Sequence, residues 1–228
     1  MNVIVDQIYH DDGPEVMRKI PSESIDLVLA DPPYGDNYQS NWCINGPRFD
    51  KMVNDSALHL DWMGEAFRIT KPSGSLICFC KWDSQDVIKE TISSHGYRVK
   101  SQVIWDRVGH GMGDLKRQFA PRHDIMWFAI KSNKFNFRKE GGRPPTVLSY
   151  PRPPTRSMIH PTQKPVALYE RLLLSLTDAG DTVFDPFMGS GTTALACIHT
   201  KRHFIGAEIY EPYFNLAQSR IDAEEMNL

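Results

Sequence analysis

Two apolar, strand-like runs each lead directly into a motif suited to ligand binding. The first run, Ile25–Ala30, precedes Asp31-Pro32-Pro33-Tyr34, and the second, residues 182–184, precedes Asp-Pro-Phe-Met-Gly-Ser-Gly-Thr-Thr at 185–193. In an open parallel sheet, ligands bind in the crevice beyond the carboxyl ends of the strands. The two motifs therefore predict one cleft with two sides. One side holds a cofactor, and the other presents a carboxylate and an aromatic ring to a planar substrate.

Strands and helices are predicted to alternate along the chain. The predicted strands are residues 3–9, 25–30, 75–80, 99–105, 124–130, 181–184 and 202–208. The predicted helices are residues 14–20, 58–70, 84–95, 165–176, 192–200 and 212–226. Such alternation is typical of βαβ units and a mostly parallel sheet, and 228 residues suffice for one large α/β domain. Residues 134–156 contain five prolines and no periodic apolar face, so we expect an extended surface loop there.

Composition is that of an ordinary soluble globular protein. No apolar run approaches the ~18 residues of a membrane span, and the N-terminus lacks the features of a signal peptide, so a cytoplasmic location is expected. Cys43, Cys78, Cys80 and Cys197 lack the spacing of a zinc site. We expect buried, reduced thiols and no metal.

Charge is distributed unevenly along a chain whose net charge is −2. Residues 98–156 hold 13 Lys and Arg against 4 Asp and Glu, whereas the rest of the chain holds 13 against 24. A basic segment on an acidic body suggests a face for nucleic-acid phosphates. A solvated surface with ordinary charge scatter explains the counts equally well.

The second motif has the spacing of an adenosine-cofactor site. Residues 189–194 read G-x-G-x-x-A between a predicted strand and a predicted helix, and Glu208 ends the next strand 19 residues after Gly189. Glycines allow close approach of the backbone, and the acid accepts hydrogen bonds from ribose hydroxyls. A plain tight turn is the alternative. The pattern does not distinguish NAD from S-adenosylmethionine.

The first motif suits chemistry on an exocyclic amine. The side chain of Asp31 and the carbonyl of Pro32 can each accept one N–H of an amino group, and Tyr34 offers a flat face for stacking. A planar amine is a poor nucleophile, and two acceptors on its hydrogens stabilise the positive charge that grows on nitrogen during attack. A nicotinamide enzyme has no need of this arrangement. A proline-rich turn after a strand is the structural alternative.

Three motifs in this order resemble the β class of amino-DNA methyltransferases. They are Asp31-Pro32-Pro33-Tyr34, then His-Pro-Thr-Gln-Lys-Pro at 160–165, then the segment 185–193. Residues 103–131 also resemble the strand pair that borders the family's recognition region. The resemblance implies an α/β, Rossmann-like class I S-adenosylmethionine methyltransferase fold. Its mixed seven-stranded sheet has a circularly permuted motif order, and the late cofactor-binding strands lie at the middle. It further implies one catalytic domain over 1–228, with target-recognition insertions at about 35–54 and 107–158.

The same resemblance assigns roles to individual residues. Asp31, Pro32, Pro33 and Tyr34 would form the site for a target base that is flipped out of the duplex. The S-adenosylmethionine pocket would comprise Asp12, His160, Thr162, Lys164, Asp185, Phe187, Gly189, Ser190, Gly191, Thr192 and Glu208. Asp12 follows Asp11 where family members often have a glycine before the acid, which leaves the backbone geometry there open. His160 has a structural hydrogen-bonding role as its alternative.

The implied function is transfer of a methyl group to N6 of adenine in duplex DNA. The expected DNA contacts are Lys116, Arg117, Arg122, Lys134, Arg138, Lys139, Arg143 and Arg152. A cytosine-N4 enzyme is the nearest alternative, although such enzymes more often carry Ser in place of Asp31. A non-catalytic DNA-binding protein and a nicotinamide-dependent oxidoreductase are the others. The recognition sequence, a homodimer and a partner restriction endonuclease stay open.

Overall fold

A mixed β-sheet with helices on both faces organises the chain. The computed structural model describes residues 3–35, 57–111, 115–154, 158 and 162–227. Its strands are β1 Gln7–Tyr9, β2 Ile25–Ala30, β3 Thr70–Cys80, β4 Arg98–Asp106, β5 His123–Ile130, β6 Val147–Ser149, β7 Thr182–Asp185 and β8 His203–Ala207. Its helices are α1 Gly13–Lys19, α2 Trp62–Ile69, α3 Gln85–Ser94, α4 Val166–Leu176, α5 Thr192–Thr200 and α6 Glu211–Glu225.

The strand order places the two predicted motifs side by side. Within the described residues the order is β1-β8-β7-β2-β3-β5-β4-β6. Neighbouring strands pair in parallel except at β5, which is antiparallel to β3 and to β4. All strands other than β5 therefore end at one edge, here called the carboxyl edge, and the opposite one is the amino edge. The predicted fold class is confirmed, with one strand more than the seven expected. The late strand β7 lies inside the sheet beside β2.

Strand β2 shows why the sheet is covered on both faces. All six of its residues are buried, as expected for a parallel strand between two helical layers. Leu27 and Leu29 belong to the apolar cluster that includes α4, α5 and α6 residues. Val28 and Ala30 point the other way, into the cluster with α1, α2 and α3. The buried strand holds the following Asp31 at a fixed position on the carboxyl edge.

Two predicted strands have different bounds in the structure. Strand β3 begins at Thr70 directly after α2, not at residue 75, and runs through Pro72 and Gly74. Its register against β2 shifts between Ile25 and Leu27, and such a bulge accommodates a proline and a glycine within a strand. Strand β1 is shorter than the predicted 3–9 because Asp6 has a φ of 60°, which interrupts the extended backbone.

The expectation of a loop over residues 134–156 is wrong for one short part. Val147–Ser149 forms β6, which pairs in parallel with β4. Leu148 is buried in the core, and the amide of Ile104 donates to the carbonyl of Thr146 at 2.7 Å. A strand of three residues is too short for its alternation to be recognised in the sequence.

The cysteines within the described residues are buried, as predicted. Cys78, Cys80 and Cys197 are free thiols, and burial raises the pKa of Cys80 to about 12. Cys43 lies outside the described residues, as does most of the predicted recognition insertion at 35–54. Among the helices that the structure describes, none is both long enough and apolar enough to cross a membrane.

Candidate active site

One cavity at the carboxyl edge contains both predicted motifs. It has a volume of about 340 Å³ and lies where β2 and β7 end. Asp31 and Pro33 line it from the first motif, and Asp185, Phe187 and Gly189 line it from the second. The volume is within the range of about 300–1,000 Å³ typical of small-molecule sites. The structure thus brings the two motifs together in a single cleft.

The turn from β7 into α5 is held by a buried carboxyl. Asp185 accepts a hydrogen bond from the amide of Phe187 at 2.9 Å and another from the hydroxyl of Thr193. Burial raises its pKa to about 7, against the lowering effect of these two hydrogen bonds. Asp185 therefore stabilises the turn through these two hydrogen bonds, in addition to lining the cavity.

Two glycines in this turn have a backbone conformation that disfavours a side chain. Gly189 and Gly191 have φ values of 54° and 79°, in the region that L residues rarely adopt. A Cβ at Gly191 would lie 3.1 Å from the Cβ of Ala217 on α6. The glycines allow the backbone to make the tight turn of residues 189–191 at the start of α5, next to the cavity. This turn is here called the cradle.

Glu208 is oriented by the backbone around it. Its Oε2 accepts from the amide of Gly189, and its Oε1 accepts from the amide of Tyr210, each at 2.8 Å. The residue is largely buried, and burial raises its pKa. The amide of Ile209 also contacts this carboxylate, and because a carboxylate has about four lone-pair sites, the group can still accept from a diol in the cavity.

The N-terminus of α1 closes another wall of the cavity. Asp12 lies immediately before Gly13, and burial, followed by the charge of Glu15, raises the pKa of Asp12. A Cβ at Gly13 would lie 2.5 Å from the carbonyl oxygen of Pro186, so α1 approaches the β7 turn closely. Asp11 is not among the described non-glycine residues with positive φ. The absence of a glycine before Asp12 is therefore compatible with the backbone there.

Residues 162–165 cross the cavity between the two motifs. Thr162 and Lys164 line it, and the hydroxyl of Thr192 donates to the backbone carbonyl of Lys164 at 3.4 Å. The hydroxyls of Ser190 and Thr192 are 3.3 Å apart. These contacts join the segment to the start of α5. His160 lies outside the described residues, so its predicted role is not addressed by the structure.

Asp31 is contacted on both carboxylate oxygens. The hydroxyl of Tyr34 donates to Oδ1, and the ammonium of Lys164 donates to Oδ2. Burial, together with the negative charge of Asp31, raises the pKa of Tyr34 well above its usual value. The ammonium of Lys81 lies 5.9 Å from the centroid of the Tyr34 ring. Lys164, expected beside the cofactor, therefore places its charge on the catalytic side.

Several cavity residues have no signal in the sequence. Trp62 on α2 meets Phe187 edge-on, with ring centroids 5.5 Å apart, and Tyr169 on α4 lines the cavity between the motifs. Both occupy apolar positions of predicted helices, where they look like ordinary core residues. Only the three-dimensional packing shows that they face the cleft.

Part of the basic segment reaches the same edge as this cavity. Residues 107–111 follow the end of β4 and residues 115–122 precede the start of β5, both at the carboxyl edge, and the second stretch carries Lys116, Arg117 and Arg122. Arg122 donates to both oxygens of Asp106, at 2.7 and 2.9 Å, and this contact is the main reason that the pKa of Asp106 is low. Phe119 in this loop is 97% exposed. Arg152 follows β6, which also ends at this edge.

The rest of the basic segment lies elsewhere. Lys134, Arg138, Lys139 and Arg143 occur between the end of β5 and the start of β6, in a segment that leaves the sheet at the amino edge. Nε of Arg138 lies 3.0 Å from Oδ2 of Asp178, which precedes β7. The expectation of one continuous basic face is therefore wrong, because the antiparallel β5 carries the chain across the sheet.

The sequence matches the model of the N6/N4 DNA methylase family over residues 25–219. The chain belongs to this family. It is 30% identical over 236 residues to the type II methyltransferase M.HpaI of Haemophilus parainfluenzae, a match that covers 92% of this chain and 72% of the relative. It is 29% identical over 254 residues to the DNA adenine methyltransferase YhdJ of Escherichia coli, covering 94% and 82%, respectively.

Solved structures agree with this assignment. The complex of M1.HpyAVI with S-adenosylmethionine superposes with a TM-score of 0.73 at 27% identity, covering 94% of this chain and 98% of the other. The cytosine-N4-specific PvuII DNA methyltransferase has the same fold, with a TM-score of 0.75 at 18% identity and coverage of 99% and 93%. The protein is an S-adenosylmethionine-dependent DNA methyltransferase. Family membership overturns the nicotinamide alternative.

The described residues fit the cofactor. The cavity volume of about 340 Å³ lies in the range of small-molecule sites, Gly189 lines it without a side chain, and the Glu208 carboxylate is suited to a ribose diol.

Proposed function

We propose that this methyltransferase modifies N6 of adenine in duplex DNA, by direct transfer to a base flipped into the cleft. The observation that carries the proposal is a carboxylate, Asp31, in the same cavity as Gly189 of the cofactor turn. A carboxylate is a strong acceptor for an amine that acquires positive charge. The similarity to YhdJ, whose name gives adenine as its target, supports the choice of base.

On the cofactor side, the protein's task is to bind and orient. When bound, S-adenosylmethionine supplies a methyl group activated by the positive charge of its sulfonium. Glu208 accepts hydrogen bonds from the ribose hydroxyls, and Gly189, which lines the cavity, lets the backbone approach the cofactor closely. Thr192, at the N-terminus of the nine-residue α5, is suited to the methionine carboxylate. Asp12, Thr162, Phe187 and Ser190 complete the proposed pocket, with Asp185 holding its shape.

On the base side, Asp31 and the carbonyl of Pro32 hold the two hydrogens of the amine. This arrangement directs the nitrogen lone pair away from the ring plane and stabilises the charge that develops in the transition state. The ring of Tyr34 provides the stacking surface, and Pro33 lines the wall beside it. No covalent intermediate with the protein is required: the amine nitrogen would take the methyl group directly, the carbon–sulfur bond of the sulfonium would break to leave a neutral thioether, and the methylated amine would release one N–H proton towards the carboxylate of Asp31.

DNA is proposed to lie along the carboxyl edge. Lys116, Arg117 and Arg152 emerge there and supply phosphate contacts. Arg122 braces the base of the loop through its two hydrogen bonds to Asp106. The exposed ring of Phe119 offers a surface on which an unstacked base can pack.

Cytosine N4 is the second candidate target. It is also an exocyclic amine, and the PvuII enzyme shows that this fold serves cytosine-N4 methylation. The acceptors at Asp31 and Pro32 suit both bases, so the choice is made by the shape of the pocket and by contacts to the ring edge.

Analysis of the product tests the proposal. Unmethylated duplex DNA is incubated with the protein and isotopically labelled S-adenosylmethionine, digested to nucleosides and separated by mass spectrometry. We expect label in N6-methyladenine. Label in N4-methylcytosine alone would contradict the choice of base, and DNA without label in either modified nucleoside would contradict the proposed transfer to an exocyclic amine.

A further inference from the structure

The side chain of Lys164 is held between a carboxylate and an aromatic ring. Its ammonium donates to Oδ2 of Asp31 and lies 4.8 Å from the centroid of the Phe79 ring. The side chain is only 7% exposed, and that of Asp31 is 18% exposed. The ion pair is therefore largely withdrawn from water, where a charge-assisted hydrogen bond restricts both partners strongly.

This contact determines how the carboxylate of Asp31 is turned. Rotation about the bond to a carboxyl group is only weakly restricted by the chain itself. Here Lys164 holds Oδ2, so Oδ1 faces the other way, towards the hydroxyl of Tyr34. The two donors come from different parts of the chain, one before α4 and the other after β2. The Tyr34 hydroxyl thus occupies the oxygen left available for a target amine.

We propose that Lys164 is a positioning residue for methyl transfer, which orients Asp31 so that Oδ1 meets the target amine, and is not a ligand of the cofactor. The inference rests on the proposed role of Asp31 as acceptor of that amine. On entry of the base, the amine replaces the Tyr34 hydroxyl at Oδ1 while Lys164 keeps its bond to Oδ2.

The backbone of Lys164 has a separate anchor. Its carbonyl accepts a hydrogen bond from Thr192 at the start of α5, so the segment stays attached to the cofactor side when the side chain is changed. Substitution by Met therefore removes the ammonium while keeping the chain length and this backbone contact. The effect of the side chain on cofactor binding can therefore be measured separately from its effect on the target base.

The main experiment compares Lys164→Met with the wild type. We expect kcat to fall about 100-fold, as for a misplaced catalytic group, while the Kd for S-adenosylmethionine stays within about twofold. Lys164→Arg, which keeps a positive hydrogen-bond donor, should recover part of the lost kcat. Lys71→Met is the matched control, because Lys71 pairs at 2.7 Å with the buried Asp26 at the amino edge. It should lower stability without reducing kcat.

A second pair of variants keeps the test informative if Lys164→Met fails to fold. Removing one partner of a buried ion pair leaves an unpaired charge, whereas Asp31→Asn combined with Lys164→Met leaves none. In the Asp31→Asn background, Lys164→Met should change neither cofactor affinity nor the residual turnover. A loss of cofactor affinity in either background, or wild-type kcat in Lys164→Met, would overturn the inference. Wild-type turnover in Asp31→Asn alone would instead overturn the proposed role of Asp31.

Discussion

The basic segment 98–156 is divided by the fold into two regions with different surroundings. Residues 107–111 and 115–122 lie at the carboxyl edge, the edge that also carries the cavity, whereas residues 134–143 follow the end of β5 at the amino edge. At the amino edge, Arg138 pairs with Asp178, and Glu140 pairs with the buried guanidinium of Arg202 at 2.8 Å. The charge run in the sequence is thus divided between a part that we propose contacts DNA and a part that is held by ion pairs at the amino edge. The direction of β5, which charge counts do not reveal, decides which is which.

The division predicts different consequences of substitution at the two edges. Changes at the carboxyl edge should alter cofactor binding, turnover or DNA affinity. Changes at the amino edge should alter stability and leave those three properties intact. The predictions below test this contrast, beginning with the largest effect.

Asp31→Ala should retain cofactor binding and lose turnover by about 100- to 1000-fold. It removes an acceptor that acts on the developing charge, while the cradle at 189–191 stays in place. Methyl incorporation into DNA and calorimetric titration with S-adenosylmethionine measure the two effects. Asp178→Ala at the amino edge is the control and should keep full turnover. Equal turnover in the two variants would remove the distinction between the edges.

Gly191→Val should weaken cofactor binding by more than about 10-fold, because at a φ of 79° its side chain meets Ala217 on α6 and would displace the turn whose Gly189 and Ser190 line the cavity. Gly180 provides a matched control, since its φ is 83° and a Cβ there meets nothing within 4 Å. Gly180→Val thus carries comparable backbone strain at the amino edge and should keep wild-type affinity. If both variants bind the cofactor equally, close approach at Gly191 is not needed.

Stability should depend on pH through Asp185. Its pKa is raised to about 7 from an ordinary value near 3.8, so the folded state holds the proton more tightly than the unfolded state. The contribution of Asp185 to the free energy of unfolding is fully present below about pH 4 and is lost as pH rises to about 7. Over this range the slope approaches about 1.4 kcal/mol per pH unit. Denaturant unfolding across this range should show the slope in the wild type and a flatter profile in Asp185→Asn.

Thr193→Val sharpens the same prediction. The Thr193 hydroxyl lowers the pKa of Asp185, so its removal should extend the loss of stability to higher pH. If the free energy of unfolding of Thr193→Val stops falling at the same pH as that of the wild type, the slope does not arise from Asp185.

DNA affinity should distinguish the two parts of the basic segment by its salt dependence. Arg117→Ala and Arg152→Ala should each reduce the slope of log affinity against log salt by about one unit. Between 50 and 200 mM salt, one unit corresponds to about fourfold in affinity. Arg138→Ala should leave the slope unchanged and lower the free energy of unfolding by about 1 kcal/mol through loss of its ion pair. A reduced slope in Arg138→Ala would place DNA at the amino edge.

The parts of the fold that the sequence predicted well are those with strong local signals. Ile25–Ala30 was predicted with the bounds it has, because a continuous apolar run before Asp-Pro-Pro is hard to read otherwise. Helix α5 likewise begins where Gly191 ends the turn. The co-location of the two motifs followed from the rule for parallel sheets.

The remaining features depend on contacts between distant segments. Strand β6 exists because β4 offers it a partner, and the position of Arg138 depends on the antiparallel β5. The direction of the Lys164 side chain was missed because residues 162–165 are irregular, and no local pattern determines whether its ammonium faces the cofactor or Asp31. These properties arise from packing and topology.

Mapping modified bases in living cells tests the central claim most directly. Long-read sequencing of DNA from cells that express the wild type, compared with cells that express Asp31→Ala, reports both the modified base and its sequence context. We expect N6-methyladenine within one short sequence in the wild-type sample and no modification in the variant sample. N4-methylcytosine in place of N6-methyladenine, or methylation that persists in Asp31→Ala, would contradict the account.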